Sequence, residues 1–102
     1  MTTATITATD IIKRYATDIA YVAEQTPATD LAAFASQLDT AARTFGMAGI
    51  NGHEDLETAG TLLGEAINAD DDTERGVLLR KADELLTPVW DMTSEYRDMV
   101  ED

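Results

Sequence analysis

The spacing of apolar residues is the feature that most constrains the fold of this chain. Apolar residues recur at intervals of three and four, as they do along one face of an α-helix. Leu31, Phe34, Leu38, Ala41 and Phe45 form one such series. Only two prolines interrupt the pattern, and alanine, the best helix former, is abundant. The spacing therefore predicts an all-α protein, and 102 residues predict a single domain over 1–102.

Breaks in this pattern divide the chain into four predicted helices. The predicted ranges are 10–25, 28–45, 53–67 and 73–99. The threonine-rich residues 1–8 are expected to be frayed. Because the connections are short, we expect consecutive helices to be antiparallel, which gives a four-helix bundle.

Local residues predict where the helices begin and end. Pro27 suits the first turn of the second helix, and Gly46 is expected to end that helix. Asn51 is the predicted cap of the third helix, and Asp72 or Thr73 that of the fourth.

The first predicted helix carries two adjacent bases. Lys13 and Arg14 lie in its first turn, where the helix dipole favours acids. We expect them to pair locally with Asp10 and Asp18 and to have no functional role.

The last predicted helix runs through Pro88. Its apolar positions are Leu78, Ala82, Leu85, Val89, Met92, Tyr96 and Met99. The intervals alternate between four and three throughout, whereas a break in a helix usually shifts the phase of the apolar repeat. We therefore predict one kinked helix of roughly 40 Å. The alternative is that Pro88 splits it, which would give five helices.

The second half of this long helix predicts an interface. The other helices, each about 21–27 Å long, are too short to cover it. Trp, Tyr and Met are enriched in interface cores, so we expect a homodimer with two-fold symmetry. The predicted self-interface consists of Val89, Trp90, Met92, Tyr96 and Met99. Alternatively, residues 1–8 or the glycine-rich residues 46–52 fold back over this surface.

Negative charge is concentrated in the second half of the chain. The formal net charge is −13, of which residues 53–102 carry −11, and residues 53–74 hold eight acids and no base. The predicted partner-binding acidic face consists of Glu54, Asp55, Glu57, Asp70, Asp71, Asp72 and Glu74.

Three explanations of this acidity stay open. Acids stabilise helix N-termini, and a salt-adapted surface is also acidic. Alternatively, the acids attract a basic protein partner. The third possibility is a nucleic-acid mimic that inhibits a DNA- or RNA-acting protein, which requires carboxylates in rows that resemble phosphate spacing.

Composition excludes several classes of site. The chain has no cysteine and one histidine, so disulfides, cysteine-ligated zinc and thiol nucleophiles are impossible. Direct nucleic-acid binding is not expected of so acidic a chain, and no apolar run is long enough for a membrane span. The first ten residues lack the pattern of a secretory signal, so we expect a cytoplasmic protein. We expect no cofactor.

One pair of motifs indicates an alternative enzyme function. Glu54-x-x-Glu57 and Glu95-x-x-Asp98 resemble the paired carboxylates of the all-α nucleotide pyrophosphatases. The resemblance implies a Mg²⁺-dependent enzyme that acts on nucleoside triphosphates, with these four acids as metal ligands. It covers only eight positions. We predict instead a small non-catalytic protein-binding module, either a regulator, an inhibitor or an adaptor.

Overall fold

The computed structural model describes residues 7–101 and is all-α, as predicted. Its helices are α1 Ala8–Ala23, α2 Leu31–Ala48, α3 His53–Asn68, α4 Asp72–Leu86 and α5 Val89–Glu101. The predicted frayed segment lies largely outside the described residues, and its last residue, Ala8, begins α1. Within the described part of the chain, no helix has the length and apolar character needed to cross a membrane.

A capping box starts α1. The Thr7 hydroxyl accepts a hydrogen bond from the Asp10 amide at 3.2 Å, and the Asp10 carboxylate accepts one from the Thr7 amide at 3.0 Å. The bond from the Thr7 amide to the charged carboxylate is the largest cause of the lowered pKa of Asp10. The helix buries Ile11 completely, whereas the next residue, Ile12, is half-buried.

The predicted start of the second helix at Ala28, next to Pro27, was wrong. The helix begins at Leu31, and the Asp30 carboxylate caps it by accepting the Ala33 amide at 2.8 Å. Gln37, which is buried, donates its side-chain amide to the Thr26 carbonyl at 2.7 Å. This bond holds the α1–α2 connection against α2, so the chain around Pro27 does not start the helix.

The α2–α3 connection begins at a glycine that follows the predicted helix end, Gly46. The helix continues through Gly46 and ends at Gly49, whose φ of +77° suits the left-handed cap position. The Ile50 amide then donates to the Phe45 carbonyl at 2.9 Å. The predicted Asn51 cap was also wrong, because Gly52, with φ +98°, occupies the N-cap of α3 without a side-chain cap.

Arg75 closes the α3–α4 connection. Its Nε donates to the Ala66 carbonyl at 3.2 Å and its Nη2 to the Ala69 carbonyl at 2.6 Å, both at the end of α3. Its Nη1 reaches the Asp72 carboxylate at 2.9 Å. Asp71, not Asp72 or Thr73, is the N-cap of α4. One side chain thus donates hydrogen bonds to two backbone carbonyls where α3 ends.

The helices pack in chain order around one core. The short connections make α2, α3 and α4 antiparallel neighbours, and α1 packs on α2 while also contacting α4 and α5. The largest fully buried side chains are Phe34, Phe45, Ile11, Ile19, Leu38, Ile50, Leu56, Leu63, Leu86 and Val89. The resulting bundle is elongated, measuring 45 × 27 × 22 Å.

Pro88 bends the last helix as predicted. The helix is divided into α4 and α5, which remain joined at an angle of 39°. The Thr87 amide and hydroxyl both donate to the Asp83 carbonyl at 3.1 Å, so the backbone stays helical up to the bend. The buried α4 positions are Leu79, Ala82 and Leu86, whereas the predicted Leu78 and Leu85 are half-buried.

Candidate functional site

Two residues of the predicted self-interface on α5 are buried inside the folded chain. Val89 is 0 % exposed and Met92 is 4 % exposed, because both belong to the core of the bundle. Met92 packs on the α2–α3 connection, where a Cβ placed on Gly52 would lie 2.5 Å from the Met92 methyl carbon. The glycine-rich connection therefore covers part of α5, as in the alternative considered from the sequence. Val89 and Met92 are removed from any exposed self-interface.

Tyr96 attaches α5 to two other helices. Its ring meets Phe45 of α2 with centroids 6.0 Å apart and Tyr21 of α1 with centroids 6.2 Å apart, both edge-on. The neighbouring Arg97 guanidinium lies over the Tyr21 ring, 4.7 Å from its centroid. Tyr96 is thus half-buried against α5's own bundle, and only its outer edge can meet another molecule.

Asp18 gives α5 a second attachment to α1. This buried carboxylate lies 3.8 Å from Arg97 Nη2. Burial raises the pKa of Asp18, and the nearby Arg97 charge opposes that rise. A raised pKa means that the folded state favours the protonated acid. Protonated Asp18 therefore contributes its full stabilisation of the fold below its ordinary pKa of 3.8. This contribution is lost as the pH rises through the pKa of Asp18 in the folded protein.

Three large apolar side chains of α5 stay exposed. Trp90, Met99 and Val100 are 61 %, 53 % and 57 % exposed. Trp90 and Met99 are nine residues apart, or two and a half turns, so they lie on opposite sides of α5. Met99 and Val100 follow Tyr96 by three and four residues and continue the core-facing stripe. The structure therefore separates Trp90 from the rest of the predicted self-interface.

Trp90 lines an open pocket between α1 and the α4–α5 bend. The pocket is about 530 Å³ and is lined by Lys13, Arg14, Tyr15, Asp83, Thr87 and Trp90. The Asp83 carboxylate accepts hydrogen bonds from the Tyr15 hydroxyl at 2.8 Å and from Arg14 Nη1 at 3.1 Å. Burial, followed by the bond to Asp83, raises the pKa of Tyr15.

Sequence reasoning missed this pocket. We expected Arg14 to pair within α1, with Asp10 or Asp18, but it pairs with Asp83 and Asp18 lies against Arg97. The structure also places Lys13 and Arg14 in the second turn of α1 and not in its first turn as predicted, because the helix begins at Ala8.

The seven residues of the predicted acidic face are all exposed but form two groups. Glu54, Asp55 and Glu57 lie at the start of α3, and Asp70–Asp72 with Glu74 lie beyond its end. The 11 residues of α3 that follow Glu57 separate the two groups by about 17 Å along the helix axis. We call them the first and second acidic groups. They do not form one compact surface.

Helix capping explains part of this acidity. The Asp71 carboxylate accepts the Thr73 amide at 3.1 Å, and Asp72 pairs with Arg75. Glu54, Asp55 and Glu74 lie in first turns, where the helix dipole favours acids. Neither explanation covers Glu57 or Asp70, whose carboxylates have no ion-pair or hydrogen-bond partner in the described part of the chain.

The acids do not form a regular row. Between Glu57 and Glu65 lie seven residues without an acid, which leaves a gap of about 12 Å along α3. Phosphates of one DNA strand recur at about 3.4 Å along the duplex axis. This gap gives the nucleic-acid-mimic alternative no support.

The four acids of the pyrophosphatase-like motifs are exposed, with Glu54 and Glu57 on α3 and Glu95 and Asp98 on α5. Within residues 7–101, no three acidic or histidine side chains come together as metal ligands would. The geometry therefore does not assemble the metal site that the resemblance implies. No protein-family model, curated protein or solved structure matches the chain.

Proposed function

We propose that this chain is a small non-catalytic protein-binding module, which self-associates through the end of α5 and presents its two acidic groups to a basic partner protein. The observation that carries the proposal is the exposed apolar end of α5, where Met99 and Val100 are each more than half exposed. Adjacent apolar side chains that remain exposed after folding are characteristic of protein-binding surfaces.

The position of Met99 and Val100 favours a second copy of the chain as one occupant. They continue the stripe that buries Val89 and Met92, so another apolar surface can extend the core beyond Tyr96. In a two-fold dimer the same stripe of both copies would meet, and each would cover the other. Trp90 lies on the opposite side of α5 from Met99, so these two side chains do not share one surface.

The distribution of ion pairs favours a basic protein as the second partner. Arg14, Arg43, Arg75 and Arg97 each pair with an acid in the described structure. Most of the acids have no such partner, so their charge acts on the solvent around the bundle. An uncompensated field of this kind attracts a basic protein over long range and accelerates its association. The partner's basic groups must extend over at least about 17 Å to meet both acidic groups.

Replacing Met99 by glutamate tests self-association. The substitution places a charge in the proposed apolar contact, and two-fold symmetry brings two such charges together. We expect the wild-type mass in light scattering to be near twice 11.0 kDa and the M99E mass to approach the single-chain value. M47E is the matched control, because Met47 is 84 % exposed on α2 and the change in net charge is the same.

Two results would overturn the self-association proposal. One is a monomeric wild-type protein at both low and high salt. The other is an equal loss of mass in M47E and M99E, which would assign the effect to charge repulsion.

Neutralising acids tests the basic-partner proposal. The E54Q/E57Q/D70N variant removes three charges and leaves the cap Asp71 and the ion-paired Asp72 in place. Calorimetric titration with polylysine, as a basic probe, is expected to show about tenfold weaker binding and a shallower salt dependence. The control E84Q/E95Q/D98N removes three exposed charges elsewhere and should retain more of the affinity. Equal weakening in both variants would contradict a specific acidic surface.

A further inference from the structure

The pocket lined by Trp90 differs chemically from the rest of this acidic molecule. Two of the chain's seven bases, Lys13 and Arg14, line it side by side, together with its single tryptophan. Trp90 lines this pocket and is 61 % exposed. An aromatic face next to two cationic side chains is a combination suited to a ligand that carries both a ring and a negative charge.

The hydrogen bonds leave cationic donors available in this pocket. Asp83 accepts from both Tyr15 and Arg14, and its side chain is only 16 % exposed. The bond from Arg14 uses Nη1 and leaves Nε and Nη2 without a partner in the described structure, while the Arg14 side chain is 52 % exposed. Lys13 is exposed and forms no ion pair within the described residues.

The nearby acids reduce the positive charge without cancelling these donors. Asp10, one turn before the two bases, lies close enough to interact with both, but its carboxylate also accepts the Thr7 amide in the capping box. The Asp83 carboxylate forms an ion pair with Arg14 and offsets its positive charge. Lys13 thus remains as the lining cation without a fixed partner in the described structure, and it is available to an anionic group of a ligand.

We propose that this pocket binds a small anionic molecule with a planar ring, of the size of a mononucleotide. The ring would stack on Trp90, and the phosphate or carboxylate would bind Lys13 and the remaining Arg14 donors. The pocket has a volume of about 530 Å³ and is open to solvent, so a bound ligand would stay partly exposed. The proposal goes beyond the proposed function and uses no residue of the two acidic groups or of the α5 self-interface.

The single tryptophan supplies a direct measurement of binding. Trp90 has the chain's one indole N–H, whose NMR signal can be followed while AMP is added to the whole protein. AMP is the probe because it has both a ring and a phosphate. Adenosine and ribose 5-phosphate then supply the ring alone and the anion alone. We expect a saturable shift of the indole signal with AMP and about tenfold weaker binding of each partial probe.

Matched lysine variants test the role of the cation. K13A is expected to weaken AMP binding about tenfold. K81A should not weaken it, because Lys81 is exposed on α4 and does not line the pocket. Both lysines are exposed, so neither variant is expected to unfold the protein.

Three results of these titrations would overturn the proposal. One is the absence of a saturable indole shift with AMP. Another is equal weakening by K13A and K81A, which would reduce the effect to general electrostatics. A third is that adenosine binds as tightly as AMP and that K13A leaves the affinity for adenosine and AMP unchanged. This result would mean that the ring stacks on Trp90 without an anion site.

Discussion

Replacing Phe45 by alanine is expected to lower the free energy of unfolding by about 4 kcal/mol. Phe45 is fully buried in α2, and its ring meets Tyr96 of α5 edge-on with centroids 6.0 Å apart. The substitution removes a large part of the core and leaves a cavity beneath Tyr96, so α5 loses one of its main attachments. Urea denaturation followed by helix circular dichroism measures the change.

Two controls separate the contributions of Phe45. M47A changes a side chain that is 84 % exposed only two residues away, and we expect an effect below about 0.5 kcal/mol. F45L keeps an apolar side chain of similar volume but removes the aromatic contact, so about 1 kcal/mol is expected. A loss below about 1 kcal/mol in F45A would contradict the packing described for α5.

Periodicity predicted the central part of the fold correctly. In the predicted α2 series, Leu31 is half-buried and the other four residues, from Phe34 to Phe45, are buried. The buried residues of α3 have the same spacing of three and four, at Leu56, Ala59, Leu63 and Ala66. These helices pack between neighbours along most of their length, so one apolar stripe determines which residues face the core. Where a helix meets different neighbours along its length, as α4 and α5 do, the stripe alone is not sufficient.

The helix ends depended on contacts that local patterns do not contain. Pro27 and Asp30 are both acceptable near a helix start, and the contact of Gln37 with Thr26, eleven residues away, accompanies the later start. Gly46 and Gly49 are both acceptable near a helix end. The chain turns at Gly49, from which buried Ile50 continues into the core.

The candidate surfaces depended even more on tertiary structure. The hydrogen bond from Arg14 to Asp83 joins residues 69 positions apart, so no local pattern predicts the pocket beside Trp90. Met92 and Trp90 are only two residues apart on α5, but the α2–α3 connection covers Met92 and leaves Trp90 exposed. The sequence identified α5 as the apolar, aromatic helix, whereas only folding distinguishes its buried side chains from its exposed ones.

Replacing Arg75 by alanine is expected to lower the free energy of unfolding by about 2 kcal/mol. The variant loses the hydrogen bonds to the Ala66 and Ala69 carbonyls and the ion pair with Asp72. Most of the effect should come from the two carbonyls, because the Asp72 side chain is 97 % exposed and an exposed ion pair contributes little. Urea denaturation at neutral pH measures the loss.

The conservative variant and a matched arginine decide whether this loss comes from helix capping. R75K retains the charge, but an ammonium cannot reproduce the planar arrangement of three guanidinium donors, so a loss of about 1 kcal/mol is expected. R80A removes an arginine from an exposed position of the same helix, where it makes no hydrogen bond or ion pair within the described residues, and should have little effect. Equal losses in R75A and R80A would show that positive charge near the second acidic group, and not the capping geometry, stabilises the α3–α4 connection. That result would also mean that repulsion among Asp70, Asp71 and Asp72 is a larger cost than their exposure implies, and a basic partner would then relieve it on binding.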